Sequence, residues 1–270
     1  MEEVRTMLRS IFTKTLWDQR RSFLWWAIGL SALSLYTAGL YPSIATPEFT
    51  SYVNQLPTAL TALFGESFSL ATAEGYLNAY FFDLMGPILF VIYGIAAGSG
   101  AIAGEEERGT LDVLLANPLE RWLVVVHKFV AMVVGMFILA FFLWASLAVT
   151  VVLVNLDIDY SRLAQACLSG ALLGIAFGAL ALALGCLRGS RGFSIGGAAA
   201  VTLIAYVVKT YAPLVEAMKP YEKLSPFYYA NAAKPLINGI NVEHAAVLIG
   251  LTIILLLASV VAFQRRDVAV

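Results

Sequence analysis

Six long apolar stretches constrain this chain more than any other feature of its sequence. They cover residues 22–40, 81–103, 129–154, 163–187, 193–215 and 243–263. Each is close to the roughly 20 residues that an α-helix needs to cross the hydrocarbon core of a bilayer. Strands of a membrane barrel would instead alternate in polarity over about 10 residues. The pattern predicts an all-α membrane protein with six transmembrane helices, of which the fifth is the least regular because Lys209 and Pro213 lie near its end.

Charged residues are scarce in this chain. Only 13% of residues are Asp, Glu, Lys or Arg, about half the share of a soluble domain, whereas 60% are hydrophobic. The Lys and Arg residues flank the apolar stretches and form no basic face, so no nucleic-acid partner is expected. No linker, low-complexity tract or soluble domain interrupts the pattern. We therefore predict a single transmembrane domain over residues 1–270.

The distribution of Lys and Arg predicts the orientation of the helices. Twelve of the 17 such residues lie in the N-terminal segment, the second and fourth connections and the C-terminal tail, and five lie in the other connections. Connections that stay in the cytoplasm carry the excess of positive charge. Both termini are therefore predicted to be cytoplasmic, with residues 41–80 and 216–242 as outer loops.

Two segments outside the spans show helical patterns of their own. In residues 1–21, apolar side chains share one broad face whose centre the basic side chains avoid. This pattern favours an interfacial helix on the cytoplasmic leaflet that then turns into the first span, the alternative being an ordinary positively charged flank. In the first outer loop, Thr46 as N-cap and Pro47 at the first helical position predict a helix over the outer mouth.

Residues 104–128 form a charged connection between the second and third apolar stretches. It opens with three consecutive glutamates, Glu105, Glu106 and Glu107. Such residues cannot remain in hydrocarbon, so they mark the exit of the chain from the membrane. Gly109 permits a sharp turn, and Thr110 is suited to cap the helix that follows.

That following helix is predicted to be short and amphipathic. Its apolar stripe consists of Leu111, Leu114 and Leu115. Asn117 ends the helix because a residue before proline avoids the α conformation. The same Asn117, with Pro118 behind it, begins a second helix that returns to the bilayer at Trp122 and Lys128.

This connection resembles the cytoplasmic signature of type-2 ABC transporter permeases, E…G-T-L-…-L-L-…-P-…-R-…-K. The matching positions in this chain are Glu105, Gly109, Thr110, Leu111, Leu114, Leu115, Pro118, Arg121 and Lys128. Residues 224–229, 235–239 and 263–267 are similar to the last outer loop and the tail of the same family. With six spans and an amphipathic start, the resemblance covers essentially the whole chain.

The resemblance implies a type V ABC exporter-like fold, in which this connection is a coupling helix that docks into a groove of an ATP-binding subunit. The docking positions that it implies are Glu105, Glu106, Arg108, Gly109, Thr110, Leu111, Leu114, Leu115 and Arg121. It also implies a permease subunit of an exporter. The apolar and aromatic walls expected for its cavity suit an amphipathic or hydrophobic substrate, namely a drug, a lipid or a peptide. The alternative is a charged loop that serves only to set the topology.

No phosphate-binding loop occurs in the sequence, because no stretch matches G-x-x-x-x-G-K-[ST]. The chain itself is therefore expected to be no enzyme and to bind no metal or cofactor. ATP and Mg²⁺ are expected on a separate P-loop ATPase subunit, and a second permease, identical or related, is the other expected partner. The expected location is the cell membrane and, by resemblance, the plasma membrane of a prokaryote.

Small and polar residues within the spans leave further alternatives open. Five glycines indicate close helix packing within one copy or at a dimer seam; they are Gly94, Gly98, Gly170, Gly174 and Gly178. Ser99 allows an intramembrane hydrolase if a histidine accompanies it, and a membrane scaffold without transport is a third hypothesis. Asp83 lies near a predicted helix end and is expected at a solvated interface. Cys167 and Cys186 fall in one helix, about 28 Å apart, and cannot bridge.

Overall fold

Six long helices form the body of the molecule. The computed structural model describes residues 2–44, 46, 51, 72–112 and 120–266, with side chains from Ile11 onward. The long helices are α1 (Glu2–Ile44), α2 (Ala73–Ala101), α3 (Arg121–Val154), α4 (Tyr160–Arg188), α5 (Arg191–Tyr211) and α6 (Val242–Arg265). Within the described residues, these six are long and apolar enough to cross a membrane, so the predicted spans are confirmed. A short 3₁₀ turn, Ala212–Leu214, ends α5 at Pro213.

Helix α4 lies at the centre of the bundle. It contacts α2, α3, α5 and α6, and α1 packs on the far side against α3. The backbones of α2 and α4 come closest, because a Cβ on Gly94 or Gly98 would overlap the carbonyl oxygen of Gly174 or Gly178 respectively. Small residues allow such close approach, which gives the packing contacts that hold helices together in lipid.

The predicted glycines therefore meet inside one copy of the chain. Gly170 completes the row, since a Cβ there would come within 2.9 Å of the Phe90 ring of α2. The adjoining face of α4 also holds Cys167, which is buried and unbridged like Cys186. The structure thus places all five glycines in the contact between α2 and α4.

Helix α1 differs from the prediction for residues 1–21. It runs without interruption for 43 residues, with no turn between an interfacial segment and the first span. The physical reason is local, because residues 12–28 contain neither Gly nor Pro to interrupt the helix. At 1.5 Å per residue the helix is about 65 Å long, so it extends well beyond a hydrocarbon core of roughly 30 Å.

The start of α2 contains a π-helical stretch, Asn78–Met85. Asp83 lies in this stretch and is only 7% exposed, so the expected solvated position is wrong. The Asn78 amide donates to the Asp83 carboxylate (3.3 Å), and the Asn231 amide donates to the Asp83 backbone carbonyl (3.2 Å). A wide helical turn displaces carbonyl groups from their usual partners, and here a side chain from a distant segment reaches one of them.

The segment between α5 and α6 folds back into the bundle. It contains a 3₁₀ stretch, Lys219–Leu224, and two proline-initiated helices, Pro226–Asn231 and Pro235–Asn238. Hydroxyl groups hold it in place. Ser225 donates to the Ala205 carbonyl of α5 (2.7 Å), and Ser169 of α4 donates to the carbonyl of Ala230 (2.8 Å). The predicted outer loop 216–242 is therefore in part a buried plug rather than a surface loop.

Three predicted features lie outside the described residues. They are the helix that begins at Pro47, after the described Thr46, the side chains of Leu114 and Leu115, and the break at Asn117 and Pro118. They remain predictions.

Candidate functional site

The connection after α2 begins with a bend at Ile102, whose backbone angles are φ −115° and ψ −61°. A short helix, Ala103–Glu107, follows the bend and carries the three glutamates. Gly109 then adopts φ +66°, the left-handed conformation that glycine enters without strain. The Thr110 hydroxyl and amide both donate to the carbonyl of Glu105, at 3.1 and 2.9 Å. Thr110 therefore caps the C-terminal end of this short helix, in addition to its predicted role as the N-cap of the helix that follows.

Each of the three glutamates contacts a different part of the chain, and we call Glu105, Glu106 and Glu107 the glutamate junction. Glu105 forms an ion pair with Lys128 of α3. The Lys128 side chain is 6% exposed and that of Glu105 is 19% exposed. Because both charges are largely removed from water, each is needed to offset the desolvation of the other. This pair fixes the end of α2 to the first turns of α3.

Glu106 forms an ion pair with Arg266, the residue that follows α6. The Arg266 guanidinium also donates to the carbonyls of Gly185 and Cys186 at the end of α4 (3.4 and 3.2 Å). In turn, the Arg266 carbonyl accepts a hydrogen bond from Arg121 (2.8 Å). The second glutamate thus joins α2, α3, α4 and α6 through one arginine.

Gly189 leaves room for this pair. It ends α4 with φ +67°, and a Cβ there would lie 2.5 Å from the Arg266 guanidinium and 2.6 Å from both carboxylate oxygens of Glu106. A side chain at this position would therefore be strained and would displace the ion pair.

Glu107 contacts the start of α5. Its carboxylate accepts a hydrogen bond from the backbone N–H of Arg191, the first residue of that helix, at 2.8 Å. Ser190 supplies the second cap, because its hydroxyl accepts from the N–H of Phe193 (3.3 Å). A negative charge at a helix N-terminus is favourable because the first amide groups point outward and carry partial positive charge. The glutamate junction therefore reaches α5 as well.

The predicted docking residues fall into two groups in the structure. Arg108, Gly109 and Thr110 are exposed, as is the neighbouring Asp112. The others with described side chains make contacts within the chain, and they are Glu105, Glu106, Leu111 and Arg121. The exposed residues are accessible to a partner, whereas the others hold the connection against the rest of this chain.

The prediction that Leu111 belongs to an exposed apolar stripe is wrong. It is 0% exposed and packs in the main hydrophobic core, so it is not presented to a partner. The turn at Gly109 directs the chain back towards the bundle, and burial of an apolar side chain is favourable there. Leu111 therefore anchors the connection to this chain.

Five residues that make or border these contacts were not among the predicted docking positions. They are Glu107, Lys128, Gly189, Arg191 and Arg266. The sequence had indicated Glu107 as part of the membrane exit and Lys128 as part of the family signature, but not their contacts. The sequence did contain a signal for these ion pairs, because it has three adjacent glutamates and basic residues at the ends of other spans. The pairing itself depends on which helix ends are neighbours, and that information is not local.

Ser99 does not form a catalytic pair with a described histidine. Its side chain is buried in α2, and its hydroxyl donates to the carbonyl of Ala96 (3.2 Å). His127 lies with its Nδ1 atom 2.8 Å from the Leu123 carbonyl, and the ring of His244 packs against Tyr228 and Tyr229. Since a nucleophilic serine needs a base within hydrogen-bond reach, this geometry does not favour a hydrolase.

Comparison with known protein families identifies the family of this chain. No curated protein sequence matches the chain. The family model described as ABC-2 family transporter protein matches residues 9–268, nearly the entire sequence. That match includes all six spanning helices and the glutamate junction. The chain therefore belongs to the ABC-2 family of transporter proteins and is a multi-pass permease component of an ABC transporter.

Proposed function

We propose that this chain is the permease subunit of an exporter driven by a separate ATP-binding subunit. Membership of the ABC-2 family supports an ATP-binding partner in general terms. The sequence contains no phosphate-binding loop of its own, so ATP and Mg²⁺ belong on that partner. In this proposal the present chain binds neither ATP nor Mg²⁺ and does not hydrolyse ATP.

The proposed docking face is the exposed part of the connection between α2 and α3. Arg108, Gly109, Thr110 and Asp112 are exposed there, and the sequence places Leu114 and Leu115 directly after them. The observation that carries the proposal is the glutamate junction beneath this face. It joins the connection to α3, α5 and the end of α6, so that a displacement of the connection is passed to several spans.

The proposed mechanism follows from those contacts. When two ATP-binding subunits close on ATP, they push the connection towards the bundle. The ion pairs of Glu105 and Glu106 are partly buried and therefore keep their geometry better than exposed pairs do. The helix ends consequently move with the connection, and the inner faces of two adjacent permeases change their separation.

The proposed substrate is amphipathic or hydrophobic, such as a drug, a lipid or a peptide. Support comes from a groove of about 580 Å³ between α4, α5 and α6, lined almost wholly by apolar side chains including Phe177, Ile204 and Leu251. Binding sites for such molecules are concave, apolar and supplied with few polar groups. A second copy or a related chain completes the transport path in this proposal.

The proposed orientation places both termini and the docking face in the cytoplasm of a prokaryotic cell, with the chain in its plasma membrane. The excess of Lys and Arg in the N-terminal segment, the second and fourth connections and the C-terminal tail supports this orientation. The glutamate junction lies at the same end of the bundle as these residues, because it contacts Lys128, Arg191 and Arg266.

Charge reversal at the docking face tests the coupling role. Arg108→Glu places a carboxylate on the exposed turn without disturbing a buried contact. The proposal places Arg108 against an acidic surface of the ATP-binding subunit, and like charges across an interface cost several kcal/mol. The variant is therefore expected to lose most of the co-purifying ATPase and at least about tenfold of the substrate-stimulated ATP hydrolysis. The measurement is the ratio of ATP-binding subunit to permease after purification from the native host, with hydrolysis in proteoliposomes.

Lys223→Glu is the matched control. Lys223 is exposed in the 3₁₀ stretch that precedes the buried plug, away from the docking face. This variant should retain both the ATP-binding subunit and the hydrolysis rate. Equal retention in Arg108→Glu and Lys223→Glu would show that the connection is not the docking face. A complex whose hydrolysis no amphipathic compound stimulates would favour a scaffold over an exporter.

A further inference from the structure

A cavity of about 500 Å³ opens at the end of the bundle that holds the glutamate junction. It lies between the first half of α1, the last turns of α2, the connection and the start of α5. Along α2 and the short helix after it, the lining runs from Tyr93 to Glu105, a distance of about 18 Å at 1.5 Å per residue. The cavity is therefore long enough to hold an extended molecule rather than a single ion.

The lining of this cavity changes character along its length. Lys14, Asp18, Arg108 and Arg191 line the part near the glutamate junction, whereas Trp26 and Ala97 belong to the part nearer the middle of the bundle. The ring of Trp26 meets the ring of Tyr93 edge to face, with centroids 5.9 Å apart. A molecule that satisfies both parts has a polar head and an apolar chain.

The charge at the mouth favours an anionic head. Lys128 also lines the cavity but is already paired with Glu105. The remaining charged lining groups are the cations Lys14, Arg108 and Arg191 and one carboxylate, that of Asp18. The mouth therefore carries an excess of positive charge in a partly enclosed site, where electrostatic attraction is stronger than in open water.

Arg191 also has a polar atom that lacks a partner. Its Nε atom is buried and has no hydrogen-bond partner among the described residues. Buried polar groups are nearly always paired in folded proteins, so this atom marks Arg191 as a donor that a bound group can satisfy. The hydroxyl of Tyr93 is also unpaired, but it lies against Gly135 of α3 and the Phe23 ring, which do not line the cavity.

We propose that the cavity binds a phosphate-bearing anionic amphiphile, with the phosphate against Arg191 and Lys14 and the apolar chain against Trp26 and Ala97. In the membrane, the molecule of this chemistry is an anionic phospholipid. The planar guanidinium of Arg191 suits phosphate oxygens because it offers donors in a fixed fork. The bound lipid joins α1 to the connection. This proposal goes beyond the exporter function and does not depend on it.

The test uses the full chain in detergent micelles with phosphatidylglycerol or phosphatidylcholine as probes. Bound lipid is counted by native mass spectrometry, and the unfolding temperature is followed in parallel. Phosphatidylglycerol should raise the unfolding temperature of the natural protein, whereas phosphatidylcholine should not. The Lys14→Gln/Arg191→Gln variant should bind phosphatidylglycerol roughly tenfold more weakly, because charged hydrogen bonds to the phosphate are lost.

Two controls make the result specific. Arg21→Gln removes one positive charge from an exposed position on α1 that does not line the cavity, and it should bind phosphatidylglycerol like the natural protein. Ala97→Phe fills the apolar part and keeps every charge, so it should lose the lipid. Equal lipid binding by the double variant and Arg21→Gln would overturn the proposal. Undiminished lipid binding by Ala97→Phe would also overturn the proposal. This variant provides the test if the double variant does not fold.

Inorganic phosphate distinguishes a free anion from a lipid headgroup. Phosphate alone should leave the unfolding temperature nearly unchanged, because it gains nothing from the apolar wall. If phosphate alone reproduced the whole effect of phosphatidylglycerol, and did so equally in Ala97→Phe, the cavity would be a site for a soluble anion and the lipid assignment would be wrong.

Discussion

Several contacts at the end of the bundle that holds the glutamate junction depend on the side chain of Arg266. Its guanidinium pairs with Glu106 and donates to the carbonyls of Gly185 and Cys186. Those carbonyls belong to the last turn of α4, where helical N–H donors run out; the Gly185 carbonyl also accepts from the backbone N–H of Gly189 (2.8 Å). A cation is also favourable there because the C-terminus of a helix carries partial negative charge. Arg266 therefore closes the end of α4 and holds α6 against the connection.

Removal of this guanidinium should destabilise the protein. We expect Arg266→Gln to lower the free energy of unfolding by roughly 1–3 kcal/mol, since Glu106 and two carbonyls lose a charged donor. The pair is 18% and 28% exposed, so solvent screening keeps the loss below that of a fully buried pair. Thermal unfolding in detergent measures it. The neighbouring Arg265→Gln, at an exposed position, should change stability little, and an equal loss in both variants would contradict the role of Arg266.

At the scale of elements, the contact between α2 and α4 depends on paired glycines. Gly94 and Gly98 on α2 face Gly174 and Gly178 on α4 so closely that no Cβ fits between the backbones. In lipid there is little hydrophobic gain when two helices associate, so close packing of backbones supplies much of the attraction. Since α4 contacts four other helices, this one contact positions the centre of the bundle.

Two alanine substitutions on α2 separate packing from helix propensity. Gly98→Ala should destabilise the protein by about 1–3 kcal/mol, because the added methyl group would overlap the Gly178 carbonyl and force the helices apart. Gly100→Ala lies on the same helix with no atom within 4 Å of the new Cβ, so it should be neutral or up to about 1 kcal/mol more stable. Unfolding in mixed micelles measures both. A gain in stability for Gly98→Ala would show that the α2–α4 contact is looser than described.

At the scale of the whole molecule, the two ends of the bundle differ in chemistry. One end holds the glutamate junction with its basic partners. The segment that contains the buried plug, with Phe227 fully enclosed, connects α5 and α6 away from that junction. This asymmetry distinguishes the two ends of the bundle, and the proposal that the junction faces the cytoplasm rests on the positive-inside tendency.

Cysteine labelling tests that direction. Arg265→Cys and Lys223→Cys each place a thiol at an exposed position, while the native Cys167 and Cys186 are 2% and 0% exposed and should not react. A membrane-impermeant maleimide should label Arg265→Cys only in inside-out vesicles and Lys223→Cys only in right-side-out vesicles. Labelling of both thiols from the same side would contradict the six-span arrangement.

The sequence by itself determined the number and approximate limits of the spans. An apolar stretch of 20 or so residues has few alternatives to a membrane helix, because its backbone must satisfy its hydrogen bonds internally. The glutamates, Gly109 and Thr110 likewise marked the connection, since charge and turn preferences are local properties. The family resemblance rested on these same residues.

Only the tertiary structure decided which side chains face inward. The local sequence around Leu111 is compatible with a side chain that faces inward or outward, yet Leu111 is buried. Glu106 pairs with Arg266, which lies near the other end of the sequence. Asp83 and the segment of Phe227 are enclosed by helices that are distant in sequence. The physical reason is that burial and ion pairing depend on which elements become neighbours, and a local pattern contains no record of those neighbours.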